Sequence, residues 1–115
     1  MAVQRFIIEM GMGVDQRGSD YTKAACRAVK DALSHSSIAL FDALGLDAAD
    51  MQVKVTIGVS DPTAVDQSAL KALIPYGQVT IDLRSGGLSP RSGAVIASAA
   101  VEAFLDPAIV QAKLS

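Results

Sequence analysis

Residues 51–59, MQVKVTIGV, alternate regularly between apolar and polar side chains, and this stretch decides the fold class. The apolar positions are Met51, Val53, Val55, Ile57 and Val59. A period of two predicts a β-strand that buries one face and exposes the other. The residues that follow, Ser60-Asp61-Pro62, predict the end of this strand.

Two later stretches predict strands of the same sheet. Residues 78–84, QVTIDLR, alternate with the same period. Residues 94–105, AVIASAAVEAFL, fit the period of a strand or of a helix. We favour a strand there, because it would complete a four-stranded sheet.

The N-terminal residues 3–10, VQRFIIEM, predict the first strand of the sheet. Phe6, Ile8 and Met10 would share one face, while Arg5 and Glu9 would lie on the exposed, polar face. Gly11-Met12-Gly13 then predicts a loop directly after the strand.

Helical spacing appears between the strands. In DYTKAACRAVKDAL, which begins at residue 20, small apolar side chains recur on one side, and Ser19 or Asp20 can cap the helix N-terminus. The helical pattern weakens over residues 34–37 and resumes over residues 38–44. A second helix is predicted over residues 64–74, and a short one after Pro107.

The chain is therefore predicted to be one domain, residues 1–115, of the α/β (α+β) class. The element order is β-α-β-α-β-β, and the two longer helices cover one face of a four-stranded sheet. The uncovered face is expected to be polar. It would carry Arg5, Glu9, Gln52, Lys54, Thr56, Thr80, Asp82, Arg84, Ser98 and Glu102.

Composition excludes several classes of function. The formal net charge is -2, so the basic excess that nucleic-acid binding requires is missing. No apolar stretch reaches the length that crosses a membrane, and the N-terminal residues fit a strand better than a signal peptide. Cys26 is the single cysteine and cannot form an internal disulfide. We therefore expect a cytoplasmic protein that binds neither nucleic acid nor membranes.

The glycine-rich segment 11–18, GMGVDQRG, lies between the first strand and the first helix. Such a segment can hold an anion with backbone N–H groups at a helix N-terminus. It is not a dinucleotide fingerprint, because Gln16 occupies the third glycine position. A tight turn followed by a helix cap explains the same residues without a ligand. The candidate ligand-binding residues here are Gly11, Gly13, Asp15, Arg17 and Gly18.

A second candidate segment is residues 85–93, SGGLSPRSG. Its hydroxyls and arginine suit a carboxylate or amide ligand, and Ser89 and Arg91 are its candidate ligand-binding residues. An ordinary hairpin connection is the alternative interpretation. We expect this loop to be distant from the 11–18 segment within one chain, so that two subunits would bring the segments together.

No metal ion and no cofactor is predicted. His35 is the only histidine, and no group of cysteine, histidine and acidic residues has the spacing of metal ligands. The sequence also lacks the nucleophile elbow that would support a serine–histidine–aspartate triad around His35.

The run GMGVDQRGSDYTKAACRAVKDALSHSS, residues 11–37, resembles a small family of uncharacterised bacterial proteins that has plant relatives. The hallmark of that family is GxGxDxHG near the N-terminus. Gly11, Gly13, Asp15 and Gly18 match the hallmark, and Arg17 stands where the family usually has histidine. A proton-transfer role for that histidine would therefore be missing from this chain.

A weaker resemblance is to one repeat of the ring-opening amidohydrolases, the cyanuric acid hydrolase and barbiturase family. Each repeat of those enzymes offers a lysine, an arginine and a serine, which here correspond to Lys54, Arg84 and one of Ser89, Ser92 or Ser98. The resemblance implies that the serine attacks or polarises a carbonyl, that the lysine acts as base and that Arg84 or Arg91 holds an oxygen. A solvated lysine on an exposed strand is the alternative for Lys54. The candidate catalytic residues are Lys54, Arg84, Ser92 and Ser98.

Three functions stay open at this point. The first is a homo-oligomer, expected to be a trimer, that binds or hydrolyses a small polar cyclic amide at its subunit boundaries. The trimeric reactive-intermediate deaminases are a structural analogy for it. The second is a non-catalytic ligand-binding or assembly module. The third is an isomerase or lyase that uses Asp15 and Arg17.

Overall fold

A computed structural model describes residues 3–16, 20–34, 45, 50–74, 77–90 and 93–114. The strands are β1 (Gln4–Asp15), β2 (Gln52–Val59), β3 (Gln78–Ser85) and β4 (Val95–Leu105), and the α-helices are α1 (Tyr21–Ser34), α2 (Gln67–Lys71) and α3 (Pro107–Leu114). A 3-10 turn spans Pro62–Ala64. In this described part of the chain, no helix has the length and apolar character needed to cross a membrane.

The predicted α+β class and element order are confirmed, including the strand over residues 94–105. The strands lie in the order β1-β4-β2-β3. Strand β4 is antiparallel to both of its neighbours, and β2 is parallel to β3. It follows that β1, β2 and β3 all run in one direction and end at the same end of the sheet. We call this the carboxyl end, defined by Asp15, Val59 and Ser85.

The hydrophobic core lies between one face of the sheet and helices α1 and α2. Alternate residues of β2 and β4 are buried on this face, as their periodicity predicts. Helix α1 buries a stripe of small side chains, and α2 adds Leu70. The stripe consists of Ala24, Ala25, Ala28, Val29 and Ala32. Because these side chains are small, α1 lies close to the sheet.

Strand β1 corrects two of the sequence predictions. It does not end before Gly11 but continues through both glycines to Asp15. Gly11 and Gly13 face α1, and a Cβ on Gly13 would overlap the backbone of Ala24 and Ala28. The glycines are therefore strand residues at a close strand–helix contact, and the loop begins only after Asp15.

The close contact also reverses the expected faces of β1. Ile7, Glu9, Gly11, Gly13 and Asp15 are paired with the buried residues of β4, so Glu9 lies on the helix side rather than on the polar face. The bulky side chains predicted to be buried are instead exposed. Their exposed fractions are 42% for Phe6, 43% for Ile8 and 66% for Met10, and Met12, which was predicted to lie in the loop, is 58% exposed on the same face.

The predicted helix over residues 64–74 is shorter than expected. The chain forms the 3-10 turn, becomes extended at Val65 and Asp66, and only then enters α2. The Asp66 side chain accepts a hydrogen bond from the Ser68 backbone N–H at 2.9 Å and so caps α2. The predicted cap of α1 is confirmed for Asp20, whose side chain accepts from the Lys23 N–H at 3.0 Å. The helical pattern predicted over 38–44 lies outside the described residues.

The connection between β3 and β4 is not a hairpin, because β2 lies between these strands. The chain leaves β3, passes the end of β2, where Gly86 N–H donates to Val59 O at 2.9 Å, and then pairs Leu88 with Ile96 of β4. Beyond the end of β2, this segment therefore lies beside β4 in the position that β2 occupies along the rest of the sheet.

Candidate functional site

The two segments predicted to bind a ligand reach the same end of the sheet within a single chain, on either side of the start of β4. Asp15, the last residue of β1, is paired with Val95, the first residue of β4. Segment 85–90 reaches the same end of the sheet as it leaves β3. Contrary to expectation, the segments are therefore not distant within one chain, because both lie beside the start of β4, about 10 Å apart at the usual strand spacing.

Asp15 is a buried carboxylate, with only 4% of its surface exposed. One of its oxygens accepts a hydrogen bond from the Asp20 N–H at 2.9 Å, and the other lies 3.7 Å from Arg27 Nη1. Arg27 also donates to the Val14 carbonyl oxygen at 2.6 Å. These groups, together with Gln16, line a cleft of about 350 Å³. Asp15 thus holds the start of α1 against the end of β1, and Arg27 keeps half of its side chain accessible.

A chain of three hydroxyl groups connects the start of α1, the end of β2 and the segment after β3. Ser60 Oγ lies 2.5 Å from Ser89 Oγ and donates to the Tyr21 hydroxyl oxygen at 3.4 Å. When Ser60 donates to Tyr21, the short bond to Ser89 must use the Ser89 proton, because each hydroxyl has one proton. The cluster then offers a donor at Tyr21 and acceptor lone pairs at Ser89.

The hydroxyl cluster and the Asp15–Arg27 pair lie on either side of the start of β4, since β4 lies between β1 and β2. Because both groups lie at this end of the sheet, we consider them together as the candidate site and call it the carboxyl-end site: Asp15, Tyr21, Arg27, Ser60 and Ser89. It combines neutral hydroxyls with a carboxylate and a guanidinium. Such a set can hold a small molecule with several polar atoms.

The candidate catalytic residues that are described lie on the outer face of the sheet, the face turned away from α1. Arg84 and Ser98 both flank Gly58 in one row across β3, β2 and β4. Lys54 lies four positions from Gly58 along β2, about 13 Å away at the usual rise per residue. Within one chain the structure brings Arg84 and Ser98 to one row but leaves Lys54 apart.

Lys54 and Arg84 have different surroundings on this face. Lys54 is exposed, lies between Glu102 and Thr80 of the neighbouring strands, and lines a cleft of about 240 Å³. Arg84 pairs with Asp82, whose carboxylate oxygen is 2.9 Å from Arg84 Nη2. The hydrogen bond to Asp82 raises the pKa of the Arg84 guanidinium above its ordinary value.

The remaining predicted residues fall into two groups. Gly11 and Gly13 lie in the middle of β1, where packing against the α1 backbone accounts for the glycine requirement. Arg17, Gly18, Arg91, Ser92 and His35 lie outside the described residues. Among the described residues, no group of three or more histidine, cysteine, aspartate or glutamate side chains is arranged to hold a metal ion.

Sequence reasoning missed three members of the carboxyl-end site, namely Tyr21, Arg27 and Ser60. Ser60 appears in the sequence only as the residue that ends a strand. A signal was nevertheless present, because polar residues that follow parallel strands meet at one end of a sheet. Using that signal requires the strand order, which the sequence alone did not provide.

Comparison with known proteins identifies the family. Residues 5–112 match the model of the Lin0512 family, described as conserved hypothetical proteins. The chain belongs to this family. A crystal structure of an FtsZ-like protein of unknown function from Nostoc punctiforme PCC 73102 is also similar, with 34% sequence identity and a TM-score of 0.82. The alignment covers 92% of this chain and 98% of the Nostoc chain. No match was found among curated proteins.

The family match confirms the predicted membership of a small uncharacterised family. It does not bear on the resemblance to the ring-opening amidohydrolases, which stays a hypothesis. The Nostoc protein is itself of unknown function, so the function of this chain has to be inferred from its own site.

Proposed function

We propose that this protein binds a small polar molecule at the carboxyl-end site, and that assembly into a homotrimer closes this site at the subunit boundaries. The observation that carries the proposal is that β1, β2 and β3 end at the same end of the sheet, so that Asp15, Ser60 and Ser89 all lie there in one chain. In open α/β sheets, ligands bind beyond the carboxyl ends of the strands, where the connecting segments diverge.

The chemistry of the site supports an amide as the ligand class. An amide presents a carbonyl oxygen that accepts and, when it is secondary, an N–H that donates. The Tyr21 hydroxyl can donate to the carbonyl, while Ser89 can accept from the N–H. Both groups contact Ser60, so they are close enough to be reached by one small molecule. A cyclic amide or imide holds these two functions rigidly, which lowers the entropic cost of binding.

Binding is better supported than hydrolysis. A hydrolytic reaction would need a serine nucleophile, a base and a group that stabilises the oxyanion within reach of one carbonyl. Lys54 is remote from Ser98 in the same chain, and Arg84 is engaged by Asp82. Hydrolysis would therefore require that a neighbouring subunit supply Lys54 or Arg84. We propose hydrolysis with residues from two subunits as the catalytic variant of this function. The proposed location of the protein is the cytoplasm in either case.

The proposal is tested by titrating the protein with cyclic imides and with small carboxylates, using calorimetry. We expect saturable binding of at least one cyclic imide. Replacing Ser89 by alanine removes one hydrogen-bonding group and should weaken binding about five- to tenfold. Ser68→Ala, at an exposed position of helix α2, is the matched control and should bind like the wild type. Equal binding by Ser89→Ala and the wild type, or no binding of any compound, would contradict the proposal.

A turnover assay on the same compounds separates binding from hydrolysis. Loss of the imide ring with time, abolished in Lys54→Met, would support the hydrolytic variant. Binding without turnover would refute the hydrolytic variant and would support a protein that only binds its ligand.

A further inference from the structure

The outer face of β1 exposes a continuous apolar surface at one edge of the sheet. Ile8, Met10 and Met12 project from it in successive outward positions, and Phe6 lies exposed at the register shift near its start. We call these four residues the β1 apolar stripe. At the carboxyl end the stripe is continued by Val14, which lies beside Ile96 and Leu88 on the same face.

The size of this surface argues that it is covered in the working protein. From their exposed fractions, the four side chains of the stripe expose on the order of 400 Å², which is comparable to the largest apolar patch of a typical monomer. A standard interface takes about 800 Å² from each partner and has an apolar centre with a polar rim. The stripe can supply such a centre.

The charges around the stripe indicate what kind of partner fits. Arg5 pairs with Glu102 at 3.3 Å on one side of it, and Arg84 pairs with Asp82 farther across the same face. Lys54 adds one positive charge beside Glu102, so the face has positive and negative charges that nearly balance, and its rim does not select a strongly acidic or basic partner. A rim that carries both signs beside an apolar centre is complementary to a copy of itself.

The mode of contact is also constrained. Strand β1 lies at an edge of the sheet, where another strand could add by main-chain hydrogen bonds. The Met12 N–H already donates a hydrogen bond to the Asp31 carboxylate of α1 at 3.0 Å. This N–H group of the edge strand is therefore already used. Contact through the face of the sheet leaves this bond intact, whereas strand addition would break it.

We infer that the β1 apolar stripe is a self-association surface that packs against the outer sheet face of a second copy of this chain. In the proposed trimer, the stripe of each subunit contacts the outer face of the next, head to tail. This inference does not depend on the ligand proposal. It assigns the contact between subunits to a definite surface, and it is tested without any ligand.

The first experiment measures the molar mass of the protein by light scattering over a range of micromolar concentrations. The wild type should be oligomeric. Met10→Lys places a charge in the centre of the contact and should weaken self-association at least about 30-fold, the loss typical of an interface hot spot. Ser68→Lys adds the same charge at an exposed position of helix α2 and should assemble like the wild type.

A second measurement covers the outcome in which Met10→Lys folds poorly. Met10→Cys and Ser68→Cys are each made with Cys26→Ala, so that each chain has one thiol. On an assembled protein, the thiol at position 10 should react with a maleimide at least about tenfold more slowly than the thiol at position 68, and dilution to the monomer should remove the difference.

A monomeric wild type at all concentrations would overturn the inference. So would an oligomer that Met10→Lys leaves intact, or equal thiol reactivity at the two positions in the assembled protein. None of these results requires a ligand, so a failed ligand titration with a successful association experiment would refute only the binding proposal.

Discussion

Replacing Gly13 by alanine should be among the most damaging small substitutions in this chain. A Cβ at this position would overlap the Ala24 carbonyl oxygen and the Ala28 backbone nitrogen, and would lie 2.8 Å from the Arg27 carbonyl carbon. Carbon–oxygen contacts in proteins are usually about 3.3 Å or longer. The atoms in the way belong to the α1 backbone, so no side chain can rotate to make room.

The cost can be estimated from the movement required. Helix α1 would have to retreat from β1 by about 1 Å, a gap that forfeits a quarter to a half of the dispersion attraction between facing atoms. Overpacking of a core typically costs about 1–3 kcal/mol, and this site should be at the upper end because only backbone can yield. A loss of about 3 kcal/mol is a large share of the roughly 5–15 kcal/mol by which domains are stable.

Urea unfolding followed by circular dichroism measures this loss. With a slope of about 2 kcal/mol per molar urea, the midpoint should fall by about 1.5 M. Gly58→Ala is the matched control, because its Cβ would be 3.6 Å from the nearest atom, an ordinary contact. That variant should be within about 1 kcal/mol of the wild type. A Gly13→Ala protein that unfolds within about 0.5 kcal/mol of the wild type would refute the close-contact explanation of the glycines.

Three further predictions concern polar groups. Asp15→Ala leaves the Asp20 N–H without its acceptor and should lower the free energy of unfolding by about 1–3 kcal/mol; an unchanged urea midpoint would contradict this. Burial raises the pKa of the Cys26 thiol, so less of it is thiolate at neutral pH. Its alkylation should therefore be slower than that of free cysteine and should accelerate as the pH rises. Equal alkylation rates for Cys26 and free cysteine would contradict this prediction. Asp66→Ala removes the α2 cap on Ser68 and should cost about 1 kcal/mol, and thermal unfolding at an unchanged midpoint would argue against a capping role.

The prediction of the candidate site was partly correct for a physical reason. The segments 11–18 and 85–93 stand out because glycine, serine and arginine are concentrated in them, and their described residues, 11–16 and 85–90, reach the carboxyl end of the sheet. Their distance in space could not be read from composition. It depends on β4 lying between β1 and β2, a choice made by side-chain packing across the whole sheet.

The sequence by itself determined the elements that depend on neighbouring residues. The period of two in β2 and β3, the helical stripe of α1 and the cap at Asp20 were all predicted, because each is a local relation between side chains and backbone. The extended strand over 94–105 required one additional assumption, that the sheet has four strands.

Only the tertiary structure decided which face of β1 is buried. The pattern of Phe6, Ile8 and Met10 favours the bulky face, since burial of large apolar side chains is favourable. The opposite face is buried because Gly11 and Gly13 alone leave room for the α1 backbone, which begins several residues later in the chain. Close packing between distant segments therefore overrides the local hydrophobic pattern, and it is this reversal that leaves the apolar stripe on the outside.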